Sequence, residues 1–206
     1  MMVKERPILM SAPMVKALLD GRKTQTRRII KPQPEVNEHG NLSGEWLNKP
    51  LDGLLLPKLQ DIVIHCPFGK IGDVLWVRET WRTSEALDGV PPRCLVLGAG
   101  IHYEADESSN LISGKKMINP GKLRPSIFMP RSASRITLEI TNIRAERLND
   151  ISEEDAISEG ADPSGVGRNL EHIQYRAGYQ YLWESINGKG SWNEDPYVWK
   201  IEFRRA

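Results

Sequence analysis

The apolar positions change period from one stretch of the chain to the next, and each change marks an element. Met14, Ala17 and Leu18 recur at helical spacing after Ser11, and Asp20-Gly21 closes the run. A serine N-cap, a proline in the first turn and a glycine just past the end predict a short helix. Lys23 to Ile30 reads as extended, since Thr24, Thr26, Ile29 and Ile30 favour strands and Pro32 stops a helix. The polar stretch from Gln33 to Pro50 reads as a long loop, and its Trp46 calls for a docking site. Ile62–His65 opens an extended block that passes through the turn-rich Cys66–Asp73 and resumes as a strand over Val74–Trp81. Asp88–Gly100 is loop-like and Ile101–Ala105 is a further strand. From Ser134 to Thr141 the alternation is clean: Ile136, Leu138 and Ile140 share one face, and Thr137, Glu139 and Thr141 the other. Ser152 starts a helix by capping the amide of Asp155, Asp155 reaches back, Ile151 staples onto Ala156, and Gly160 ends the run just after Glu159. A longer helix is expected from about Leu170 to Ile186, stopped by Asn187-Gly188, and Tyr197 to Phe203 alternate as a last strand. Several strands with few helices predict an α+β chain built as a small barrel with helices packed at its ends.

Composition narrows the function. The 206 residues suit one domain with its own core, and the formal net charge of +1, from 28 Lys+Arg and 27 Asp+Glu, excludes bulk electrostatic coating of nucleic acid. No apolar run approaches the roughly 20 residues a membrane span requires, so neither membrane anchor nor membrane partner is expected. The two cysteines, Cys66 and Cys94, lack metal-site spacing, as do His39, His65, His102 and His172. Reduced thiols in a cytoplasmic protein are therefore expected, with no metal and no cofactor.

The balanced total hides a segregation. Gly21–Pro34 carries Arg22, Lys23, Arg27, Arg28 and Lys31 with no acid, and Ser108–Leu138 carries Lys115, Lys116, Lys122, Arg124, Arg131 and Arg135 with none. Glu146–Asp162 has the opposite bias, with Glu146, Asp150, Glu153, Glu154, Asp155, Glu159 and Asp162 facing only Arg147. Two basic stretches that met in space would form one surface for phosphates. Arg78, Glu79 and Trp81 would add a guanidinium, a carboxylate and a stacking ring, and Arg131 and Arg135 a phosphate clamp. Trp183 and Trp199 read as core.

The ordered set Gly21–Arg28 (GRKTQTRR), Gly72–Trp81 (GDVLWVRETW), Met129–Leu138 and the closing Trp199–Phe203 resembles the ASCH domain, a relative of the PUA fold, in the versions carried by phages and prophages. The resemblance spans nearly the whole chain except 33–60 and 83–125, which it implies are insertions. It implies a PUA-like β-barrel whose basic cleft takes RNA or a modified nucleotide. Some small bacterial members are amidohydrolases that deacetylate N4-acetylcytidine with a Lys, a Thr and a Glu, which fall here on Lys23, Thr26 and Glu159. The residues themselves leave three readings of Lys23, Arg22 and Arg28: a phosphate cluster, a site in which Lys23 is base or nucleophile, or solvated charge. A base needs Lys23 neutral, and burial with the like charges of Arg22, Arg27 and Arg28 pushes that way. Glu159, at a helix end, would serve as acid or base, and Thr26 would orient water. In a regular strand Lys23 and Thr26 point to opposite faces, so a shared site needs Lys23 in the turn or a bulge. The functions in play are a nucleic-acid or nucleotide-binding module, an amidohydrolase on N4-acetylcytidine-type nucleosides, and a phage structural or host-interaction protein docking through its insertions.

Overall fold

The computed structural model describes residues 3–51, 53–96, 98–111, 116–163 and 174–206. The chain runs β1 (Glu5–Leu9), α1 (Ala12–Leu19), β2 (Gln25–Ile29), β3 (Glu35–Val36), β4 (Leu42–Ser43), β5 (Val74–Arg78), β6 (Trp81–Arg82), β7 (His102–Tyr103), β8 (Ser108–Ser109), β9 (Thr137–Arg147), α2 (Glu153–Ser158), α3 (Gln174–Asn187) and β10 (Tyr197–Arg205), with short 3-10 turns between them. It is a mixed α+β fold with a main five-stranded sheet in the order β1-β5-β9-β10-β2. Among its described strands only the β1–β5 pair is parallel.

The sheet buries both faces, and alternation assigns its residues. Trp199, Ile201 and Phe203 of β10 join Leu75 and Val77 of β5, Leu138 and Ile140 of β9, and Met14, Val15 and Leu18 of α1 in the larger core. Val198, one residue out of phase, joins Leu148, Ile151, Ala156, Tyr179, Trp183 and Trp192 under α2 and α3. Trp183 and Trp199 are thus both core residues. The segment after β2 docks as its tryptophan requires: Trp46 is buried edge-on against Trp199 at 6.4 Å, its indole N–H reaches the Pro32 carbonyl at 3.1 Å, and Lys49 lies over its ring. Strands β6, β7 and β8 form a separate small sheet over a third cluster of Trp81, Ile101, Tyr103, Met129 and Ala133.

Several elements differ from the sequence reading. Glu5–Leu9 is a strand despite Pro7, which an edge position tolerates because no ladder donor is needed there. Ile62–His65 lies inside a 3-10 helix, Leu59–His65, held to the sheet where the Gln60 side chain bonds the Ala145 carbonyl at 2.6 Å. The Ser11 hydroxyl makes no cap bond, whereas Ser152 does cap Asp155. Positions 170–173 of the expected long helix, His172 included, lie outside the described residues, and α3 covers the rest. Among the described residues no helix is long and apolar enough to cross a membrane.

Candidate functional site

The GRKT segment is clamped between two helix ends of the same design. At the end of α1, Gly21 takes a positive φ of 75°, its N–H bonds Leu18 and the Arg22 N–H bonds Ala17. At the end of α2, Gly160 has φ 78°, its N–H bonds Ile157 and the Ala161 N–H bonds Ala156. Both are Schellman ends, in which glycine avoids the penalty of a left-handed backbone. The two ends touch, and Thr24 N–H bonds the Ser158 carbonyl at 2.8 Å across them.

This junction buries Lys23. Its ammonium donates to the Gln25 carbonyl at 2.7 Å, the Glu159 carbonyl at 2.8 Å and Glu159 Oε2 at 2.9 Å, and the Lys23 and Glu159 side chains are 0% and 1% exposed. Burial pushes the Lys23 amine below its ordinary value; the Glu159 carboxylate opposes this, and Arg28 and Arg27 add to it. The second oxygen of Glu159 accepts from Arg27 Nη1 at 3.1 Å. Arg27 also donates to Glu146 at 2.6 and 2.9 Å and to Asp155 Oδ2 at 2.7 Å. Asp155 Oδ1 in turn accepts from Lys200 at 2.5 Å and Gln25 at 3.1 Å. Burial lowers the Arg27 guanidinium but its carboxylates outweigh that and hold it above its ordinary value. Three cations and three carboxylates thus neutralise one another between the sheet and α2.

Register explains who shares the network. Arg27 lies opposite Lys200 on β10, and Thr26 opposite Ile201. Thr26 therefore faces the larger core, away from Arg27 and Gln25. Its hydroxyl is buried and bonds neither Lys23 nor Glu159.

Beside this network, a cleft of about 250 Å³ opens along the free edge of β2. Arg27, Arg28 and Lys31 line it together with Phe68, Tyr179, Trp183 and Met14 of α1. Arg28 sends Nη2 to the Leu9 carbonyl at 2.6 Å, bridging the edge strands β2 and β1, while its Nε has no partner among the described residues. Burial lowers the Arg28 guanidinium from its ordinary value, against the pull of Glu159.

Several residues expected at a nucleotide site lie elsewhere. Trp81 is fully buried beneath the small sheet, so its ring offers no face to a base. Arg135 is spent on Glu79, through both carboxylate oxygens at 2.9 Å, and on Asp106, and it stacks on Tyr103. Arg131 pairs with Glu5, Arg22 with Asp20, and Arg78 lies over Trp76. None of these lines the cleft. The Lys23 ammonium and the Arg27 guanidinium, expected to meet phosphate, point instead at carboxylates and carbonyls. The acid-free stretches therefore make no common basic surface through these residues. Asp155 does not reach back to its own helix start, since its carboxylate is taken by Lys200 and Arg27.

Residues that the sequence reading passed over include Phe68, Tyr179, Gln25 and Lys200. Lys200 carried one signal: a lysine amid Val198, Trp199 and Ile201 on a strand buried on both faces needs a carboxylate partner. Compared with protein-family models, with curated proteins and with solved structures, the chain finds no match.

Proposed function

We propose that the protein is an ASCH-type, PUA-like module that binds a modified nucleotide, free or at an RNA end, in the cleft along β2. The observation that carries this reading is the mix of lining types: Arg28 and exposed Lys31 share a cleft of about 250 Å³ with the half-buried Phe68 ring and with the edges of the core rings Tyr179 and Trp183. Bases stack on aromatic rings, and cations hold phosphate or carbonyl oxygens. A volume at the small end of ligand sites suits one nucleotide unit rather than a strand. On this reading the main sheet is the wall of a PUA-like barrel, with Arg28 joining its edge strands. The test is titration with N4-acetylcytidine, cytidine monophosphate and a short single-stranded RNA, followed by intrinsic fluorescence. Loss of a charge-assisted hydrogen bond in Arg28→Ala costs about 1.5–3 kcal/mol, or roughly tenfold or more in affinity. Absence of binding to all three, or unchanged affinity in Arg28→Ala, overturns the reading.

A second reading is favoured by one further observation, the enclosed Lys23–Glu159 contact at 2.9 Å. In an amidohydrolase on an N4-acylated cytidine, water adds to the acyl carbon as a base removes its proton. The C–N bond then breaks as the exocyclic nitrogen takes a proton, giving cytidine and acetate. Lys23 and Glu159 are close enough to exchange that proton. Release of cytidine by the wild type and its loss in Lys23→Ala support this reading; no release by the wild type removes it.

A further inference from the structure

We infer that Asp155 and Lys200 are positioning residues that govern, through Arg27 and Glu159, how firmly Lys23 holds its proton. The inference deepens the second reading, on which the charge of Lys23 matters to turnover. The geometry is a continuous chain of contacts. Lys23 holds Glu159 Oε2, Arg27 holds Glu159 Oε1, Asp155 holds Arg27, and Lys200 holds Asp155. The Lys23, Arg27 and Lys200 side chains are 0%, 0% and 6% exposed, so solvent screens these couplings little.

Lys23 itself meets Glu159 from the α2 end and Arg28 and Arg27 from β2. Those groups in turn meet Tyr179 from α3, Glu146 from β9 and Asp155 from α2, and Lys200 of β10 lies between Asp155 and Glu202. The α1 end, whose Ala17 carbonyl accepts the Lys23 N–H, brings Asp20, which pairs with Arg22, and β10 brings Arg204 and Arg205 to a pocket that Lys23 also lines. Glu159 divides its carboxylate between Lys23 and Arg27. Asp155 and Glu146 satisfy the rest of Arg27, so that Arg27 takes only one oxygen of Glu159. Without the charge of Asp155, three cations face two carboxylates, and Arg27 draws more heavily on Glu159 at the expense of Lys23. Without Lys200 the excess is negative, and Lys23 holds its proton more firmly.

The two charge removals therefore have opposite signs. Asp155→Asn keeps the shape, and Lys200→Met keeps the apolar stem. The measurement is the pH titration of the Lys23 side-chain carbon signal by NMR on protein with 13C-labelled lysine, the signal being assigned by its loss in Lys23→Met. The Lys23 midpoint falls in Asp155→Asn and rises in Lys200→Met, each by about half to one pH unit. A merely structural role gives another pattern: loosening admits water and moves the midpoint upward in both variants. Movement in the same direction, no movement in either, or loss of the folded spectrum in both overturns the inference. Cytidine release is measured on the same proteins. If the wild type shows none, the hydrolase reading falls, while the NMR midpoints still decide the electrostatic inference. Where release occurs, its pH–rate profile shifts in the direction of the midpoint.

Discussion

Substituting alanine at Gly160 tests the junction that brings Glu159 to Lys23. Two separate terms oppose the new Cβ. The first is conformational: Gly160 has φ 78°, and a left-handed backbone costs an L-residue about 1–2 kcal/mol. The second is steric: the added carbon would lie 2.5 Å from the Ala17 Cβ and 3.2 Å from the Lys23 Cβ. Ala17 is fully buried inside α1 and has no rotamer to yield, so relief requires the helix ends to part. Overpacking of this kind costs about 1–3 kcal/mol, which brings the expected loss to about 2–5 kcal/mol. At roughly 2–4 °C per kcal/mol for a chain of this size, the melting midpoint drops by about 5–20 °C. Gly21→Ala supplies the control, because Gly21 has φ 75° but nothing within 4 Å of the added carbon. Urea unfolding of the two variants separates the terms: Gly21→Ala shows the conformational cost alone, and the excess in Gly160→Ala is the contact. Adding Ala17→Gly to Gly160→Ala should recover at least about 1 kcal/mol relative to additivity, even though glycine in a helix itself costs about 1 kcal/mol. Equal losses in the Gly21 and Gly160 variants, or strict additivity with Ala17→Gly, would refute the close approach of the two helix ends.

Three further outcomes test other parts of the fold. Arg135→Ala leaves Glu79, a nearly fully buried carboxylate, without its partner, and should destabilise the chain by about 3–5 kcal/mol with the earliest hydrogen exchange in β6–β8. The same cluster sets an acid limit. Burial raises Asp106, but hydrogen bonds from Arg135 and Ser108 with the guanidinium charge outweigh it and hold the carboxyl at about 2, below its ordinary 3.8. Asp106 thus contributes stability in full above 3.8 and loses it as pH falls towards 2; a wild-type acid-unfolding profile that Arg135→Ala leaves unshifted would contradict this. The two thiols should also part company: burial pushes the Cys66 thiol up to about 11, whereas Cys94 is exposed. Iodoacetamide at pH 8 should label Cys94 and spare Cys66 until urea is added, as read by peptide mass spectrometry; equal rates on the native protein would sink the assignment.

Which parts were legible from the residue order follows from the range of the interactions involved. The end of α1 and the whole of α2 are decided by contacts within five residues, such as the Ser152 cap and the glycines at the helix ends, and these could be read locally. The strands β9 and β10 announce themselves by alternation, since each has a buried face. Ile62–His65 looks extended because its β-branched residues carry strand propensity, while the side chain of Gln60 and the burial of Ile62 impose a tight helix over Leu59–His65. Strand β1 was missed because Pro7 argues against a strand unless the segment is known to lie at an edge, and edge status depends on pairing with β5, some seventy residues on.

The charge pattern shows the same limit more sharply, and it changes what the site can do. Read along the chain, the acid-free Gly21–Pro34 and the acid-rich Glu146–Asp162 stretches look like two surfaces of opposite sign. In space part of each meets in one array, completed by Lys200, because Arg27 reaches Glu146, Asp155 and Glu159 across 119 to 132 residues of chain. Cations neutralised in this way cannot also hold phosphates without leaving carboxylates buried and unpaired, at several kcal/mol each. The motif therefore divides its labour by strand alternation. Lys23 and Arg27 turn into the array under α2, while Arg28, on the opposite side of β2, reaches the sheet edge with one nitrogen still unpartnered among the described residues. The same alternation keeps the Thr26 hydroxyl away from Glu159. A ligand in the cleft thus meets Arg28 and Lys31, whereas Lys23 is held against Glu159 beneath the end of α2.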